Sequence, residues 1–141
     1  MARTKLELPR HFLFATELTV RISDINYGGH LGNDAVLSLL HEARVRFLAS
    51  HGYTEKDVEG AGMIMVDAVV LYRSESFHGD RLQIQVAVAD LRTTGCDFMY
   101  LVTQAETAKE VARAKTGIAF FDYEKRKIVE VPPGFRKLFA Q

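Results

Sequence analysis

Arg21–Phe47 reads RISDINYGGHLGNDAVLSLLHEARVRF, and this stretch decides the fold. A strand-like run ends in a polar, glycine-broken loop. The loop crowds Asp24, Asn26, His30 and Asn33 into ten residues and feeds directly into an amphipathic helix. A packed helix that starts beside a Gly-Gly turn leaves free backbone N–H groups and the positive end of its dipole at that turn. Such a place can hold an oxyanion, and neighbouring polar side chains can position water or move a proton.

The helix is read from Asn33 or Asp34, either of which makes a good N-cap, to about Ser50. Val36, Leu40, Ala43 and Phe47 fall at helical spacing. Leu37, Leu39 and Leu48 widen the apolar stripe, so deep burial is expected. His51-Gly52 stops the helix. Before the loop, Phe14–Ile22 alternates as a half-buried strand. After the helix, Thr54–Glu59 reads as a short polar helix or turn. Long strands follow at Met63–Tyr72, Leu82–Leu91, Asp97–Ala105 and Val111–Phe121, three of them joined by short turns as in an antiparallel meander. A last short strand is expected at Lys127–Val131, with a helical turn at Phe135–Phe139 beyond Pro132-Pro133-Gly134.

This order predicts an α+β fold: a curved antiparallel sheet of five or six strands wrapped around one long helix. A sheet of this size around one helix leaves exposed edges, so a homodimer or homotetramer is expected. Met63, Met65, Met99, Phe98 and Tyr100 read as core residues.

A chain of 141 residues is long enough for one domain, 1–141, with a real core. Eighteen Lys and Arg balance eighteen Asp and Glu, which argues against nucleic acid as the main partner. The short basic cluster Lys125-Arg126-Lys127 reads as a solvated turn. The single cysteine, Cys96, allows no intrachain disulfide, fits a reducing, cytoplasmic compartment and reads as structural. The first twelve residues lack a signal-peptide core, and no apolar run is long enough to span a membrane. His30, His41, His51 and His78 are scattered without spacing suited to zinc, so neither a metal nor another cofactor is expected.

The motif Arg21-x-x-Asp24-x-Asn26-x-x-Gly29-His30-x-x-Asn33, the helix segment Glu42-Ala43-Arg44 and the turn Phe77-His78-Gly79-Asp80-Arg81-Leu82 together resemble the hotdog fold. The resemblance is to its 4-hydroxybenzoyl-CoA thioesterase-like branch, and it runs from about Leu13 to Pro133. It implies a thioesterase acting on acyl-CoA or acyl carrier protein. It also implies an oxyanion held at the helix N-terminus, by the Asn33 N–H with Leu31 or Gly32, and edge-to-edge dimers with sites built from both subunits.

The family pattern has a second Asp two residues after Asp24. Here that position is Asn26, and an amide can neither take a proton near neutral pH nor act as a useful nucleophile. The candidate catalytic residues are therefore Asn26, His30, Asn33 and Asp24. Asn26 orients water or the thioester carbonyl, or else caps its own turn. Asp24 acts in the site or pairs with Arg21. Tyr27, Gly28, Gly29 and Asp67 are the candidate substrate-binding residues. Asp67, in the apolar run Met63–Tyr72, either faces water on an edge or lies part-buried, where it could serve a partner's loop as the missing base. Glu42 is expected to pair with Arg46. Two rival readings stand beside hydrolysis. One is a non-catalytic acyl-CoA-binding domain. The other is an enoyl-CoA hydratase, whose Asp-x-Asn-Pro-x-His motif this chain approaches without the Pro and with His30 one residue late.

Overall fold

A computed structural model describes residues 3–140. Its strands are β1 (Phe14–Thr19), β2 (Gly62–Tyr72), β3 (Arg81–Ala89), β4 (Gly95–Gln104), β5 (Glu110–Asp122) and β6 (Lys127–Ile128). The helices are α1 (Asn33–Ser50) and α2 (Pro133–Phe139). The strands form one six-stranded sheet in the order β1-β3-β4-β5-β2, with β6 also paired to β5, and every pairing is antiparallel. One long helix on an antiparallel sheet is the architecture expected from the element order. What the element order did not give is the position of β2: it crosses to the far side of the sheet and pairs only with β5.

α1 buries Val36, Leu39, Leu40, Ala43, Phe47 and Leu48 against inward-facing residues of β3, β4 and β5, such as Ile84, Phe98 and Ile118. α2 closes one end of this core. Its Phe135 and Phe139 pack on each other and on Phe120 and Phe47. Pro132 and Pro133 start that helix, where a missing N–H costs nothing. On the outer face, the N-terminal segment ties down at Leu13 N–H to Val86 O (3.1 Å) and at Arg113 Nη1 to Leu6 O (3.0 Å).

Several expectations need correction. β1 ends at Thr19 rather than Ile22, because the chain turns there into a 3₁₀ turn, Ile22–Asp24. The N-cap of α1 is Gly32, not Asn33 or Asp34. Its backbone sits so close to the Asp34 side chain that an added Cβ would lie 2.5 Å from Oδ1. Residues 54–59 form turns with isolated bridges, not a helix. β6 is two residues long. Leu37 is 38% exposed and Met65 49% exposed, because both border an open cleft between α1 and β2. Met99 is buried, but it points away from the core, between Ala87 and Lys115 on the outer face.

A bulge in β2 decides the placement of Asp67. Met65 pairs with Ile118, and the next paired residue is Asp67, opposite Gly117; Val66 is the extra residue. One inserted residue exchanges the two faces of a strand. Met63 and Met65 point inward before the bulge, and Ala68, Val70 and Tyr72 do so after it. Asp67 is thereby turned to the outer face. There its Oδ1 accepts from Gly117 N–H (3.0 Å) and from Lys115 Nζ (3.1 Å). Gly117 must be glycine for this contact: a Cβ there would lie 2.2 Å from the Asp67 oxygen.

Candidate functional site

The loop between β1 and α1 is a closed lobe. Asn26 N–H donates to His30 O (2.9 Å), and Gly29 N–H donates to Asn26 O (3.0 Å). Gly29 has φ +84°, a left-handed conformation that glycine adopts without penalty. Asn26 Oδ1 accepts from Gly28 N–H (2.9 Å), an Asx turn. Its amide NH₂ has no acceptor among the described residues.

Asp24 is buried at the base of the lobe. Its carboxylate accepts from Arg21 N–H (2.8 Å) and from the Arg21 guanidinium (3.2 and 3.3 Å), as the pairing expectation had it. Burial works to raise its pKa, but the Arg21 bonds outweigh burial and hold the carboxyl below the usual range. A lowered folded pKa means stability that is present above the ordinary aspartate range, about 4, and lost as pH falls through the folded value. Asp24→Asn should therefore cost about 1 kcal/mol at neutral pH, since Arg21 is largely exposed and screened. The difference from wild type should close as urea unfolding is repeated at progressively lower pH. A difference that stays constant down to about pH 3 would contradict this assignment.

His30 Nδ1 lies 3.1 Å from Leu31 O. A carbonyl only accepts, so Nδ1 carries the proton and the neutral ring presents a bare Nε2 lone pair. Nε2 stands 4.0 Å from Glu75 Oε1. Leu31 N–H donates to Ser76 O (2.7 Å) and Gly32 N–H to Asp24 O (2.9 Å), so neither is free for a ligand. The N–H groups of Asn33 and Asp34 have no acceptor among the described residues. They are the open donors at the start of α1.

Asn26, His30 and Asn33 are brought together around a cleft of about 360 Å³, with Leu31, Tyr72, Arg73, Ser74 and Glu75. Tyr72, which sequence reading passed over as a strand end, donates its hydroxyl to Asn33 O (3.0 Å) and pins β2 to the start of α1. Burial, then Asp34, pushes its phenol up, which keeps it a donor at neutral pH. The other loop candidates lie outside the cleft lining. Tyr27 is fully exposed at the lobe tip, and Gly28 and Gly29 shape the turn. Asp67 is on the opposite face of the sheet from α1 in the same chain.

A second polar cluster was not recognised in the sequence. Arg44 falls in the apolar phase of α1, eight residues after Val36 and four after Leu40, and that phase was the available signal. It is buried, with Nε to Glu55 Oε2 (3.0 Å) and Nη1 to Tyr100 Oη (3.0 Å). Tyr100 Oη in turn lies 2.8 Å from Thr116 Oγ1, and His41 Nε2 lies 2.6 Å from Glu55 Oε1. Burial opposes the Glu55 charge, but His41 and then Arg44 hold its carboxyl below the usual range. Glu42 pairs with Arg46 (2.8 Å), as its spacing implied. Burial pushes the Cys96 thiol up to about 12, so it is no nucleophile at neutral pH.

Among the described residues, no group of three or more His, Cys, Asp or Glu could hold a metal ion. No helix among them is long and apolar enough to cross a membrane.

The fold is shared with solved structures. The 1,4-dihydroxy-2-naphthoyl-CoA thioesterase Slr0204 of Synechocystis superposes with a TM-score of 0.82 at 23% identity, over 91% of this chain and 96% of that one. A thioesterase superfamily protein of Jannaschia sp. CCS1 gives 0.83 at 18% identity, over 94% and 84%. SAV2348 of Staphylococcus aureus, a hypothetical protein solved in complex with CoA, gives 0.81 at 17% identity, over 96% and 86%. At these identities the likeness establishes the hotdog fold alone. No curated protein matches the chain. The sequence model of the thioesterase-like superfamily matches residues 20–139, a span that takes in the lobe, α1 and the sheet from β2 to β6. By that match the chain belongs to the thioesterase-like superfamily.

Proposed function

We propose that this protein hydrolyses acyl-CoA thioesters at the cleft between the β1–α1 lobe and the end of β2. The observation that carries this reading is the convergence of three things on one cleft. They are the unpaired N–H groups at the start of α1, the bare His30 Nε2 and the free Asn26 amide. The family match and the CoA complex of a structural neighbour support a CoA thioester as the ligand.

The thioester carbonyl oxygen sits at the N–H groups of Asn33 and Asp34. Asn26 Nδ2 donates to the attacking water and orients it. The water oxygen attacks the carbonyl carbon while His30 Nε2 takes its proton. The tetrahedral oxyanion is stabilised by the two N–H groups and the dipole of α1. Collapse breaks the C–S bond, and the imidazolium returns the proton to the thiolate. Asp24 takes no proton in this scheme: its carboxylate is committed to Arg21, and it holds the lobe in shape.

The protein works as a dimer or larger assembly in this reading. β2 is eleven residues long and its outer edge is unpaired among the described residues. It exposes Met65, Val66 and Tyr72, the last of them at the cleft. A long apolar edge of this kind is covered in a stable protein, and a second copy of β2 supplies a matching one. Light scattering should give a dimer or a multiple of one; a monomer at micromolar concentration would remove this part of the reading.

The test of function is steady-state release of free thiol from short, long and aromatic acyl-CoAs, with Asn26→Ala and Asn26→Asp beside the wild type. Wild-type turnover that falls about a hundredfold in Asn26→Ala supports the mechanism. No wild-type turnover, with activity gained in Asn26→Asp, would instead support an acyl-CoA-binding domain, a reading favoured by the lack of any free carboxylate in the lobe.

A further inference from the structure

A second cleft, of about 460 Å³, lies on the same flank of α1 as the proposed active site. Asn33, Leu37 and His41 follow one another at four-residue spacing along that flank, and Arg44 comes one turn later. The helical rise places His41 about 12 Å beyond Asn33. β2 runs beside the helix in the opposite sense: Tyr72 touches Asn33, while Met63 and Met65 line the second cleft with Arg44. The second cleft thus lies between the same two elements, about 12 Å along α1 from the position given to the thioester carbonyl.

Its walls and its floor differ in chemistry. Leu37, Met63 and Met65 give apolar walls. Arg44 and Lys56 give donors, with Glu55 the one acid among them and His41 Nε2 already on Glu55 Oε1 (2.6 Å). Arg44 and Lys56 against Glu55 leave one positive charge in excess. Arg44 uses Nε on Glu55 and Nη1 on Tyr100, and its Nη2 has no acceptor among the described residues. A guanidinium this buried, with an unused edge bordering a cleft, suits a carboxylate.

We propose that the acyl group is an ω-carboxylated chain, its apolar body lying along Leu37 and the β2 methionines and its terminal carboxylate received by Arg44 and Lys56. This extends the thioesterase reading to a substrate class and rests on that reading for its kinetic assay.

The experiment compares kcat/KM for adipoyl-, suberoyl- and sebacoyl-CoA with hexanoyl-, octanoyl- and decanoyl-CoA. Charge-assisted hydrogen bonds at the floor should favour the carboxylated member of at least one pair by about tenfold. Lys56→Glu and Lys56→Gln, at an exposed position, should erode that preference, with the rate on the plain chain of each pair as the reference. Equal rates within every pair, or a preference that survives both variants, would overturn the proposal. If no thioester at all is cleaved, the hydrolase reading fails separately. Calorimetric binding of the same pairs then decides the cleft: about tenfold tighter binding of a carboxylated member supports it, and equal affinity overturns it.

Discussion

Replacing His30 with alanine is expected to lower kcat for thioester hydrolysis by about a hundredfold or more, the usual contribution of a positioned general base. The expectation follows from one hydrogen bond. Nδ1 faces Leu31 O, which can only accept, so the tautomer is fixed and Nε2 is left bare in the cleft beside Asn26 and Asn33. Within the lobe Asp24 is held by three bonds to Arg21, and Glu75, which borders the cleft from outside the lobe, stands 4.0 Å from His30 Nε2. A His30→Ala enzyme within a few-fold of wild type would remove His30 from the chemistry.

Phe47→Ala is expected to cost about 3–5 kcal/mol, the range for truncating a fully buried aromatic residue. Phe47 is completely buried near the C-terminal end of α1. Its ring centroid lies 5.7 Å from Phe14 of β1, 5.9 Å from Phe98 of β4 and 5.5 Å from Phe139 of α2. One side chain therefore joins the helix to one edge of the sheet, its centre and the closing helix, and the cavity left behind has rigid walls on all sides. For a chain of this size the melting temperature should drop by roughly 10 °C or more. Tyr27→Ala, at the exposed tip of the lobe, is the matched control and should change stability by less than about 0.5 kcal/mol. A comparable loss from both would mean that the aromatic cluster is not the keystone described.

Most of the fold was legible in the chain because the information is local. The apolar spacing of Val36, Leu40, Ala43 and Phe47 specifies a helix with one buried face. The alternation of Leu82, Ile84, Val86 and Val88 specifies a half-buried strand. The lobe was legible for the same reason: Asp24, Asn26, Gly29 and His30 act within a few residues of one another, so their spacing in sequence is nearly their geometry in space. Arg21 pairs with Asp24, and Glu42 with Arg46, at the separations that the chain displays.

Only the tertiary structure decided the features that depend on partners far away in the chain. The bulge at Val66 turns Asp67 away from the methionines beside it, and strict alternation cannot reveal a bulge because one inserted residue inverts every face beyond it. Arg44 finds Glu55 eleven residues on and Tyr100 fifty-six residues on. No local pattern foretells that a charge in an apolar stripe will be satisfied there. Helical and strand periods are written residue by residue. Which N–H groups remain open, and which buried charge meets which acceptor, is set when distant strands pair, because a hydrogen bond has no counterpart in sequence until both of its ends are in place.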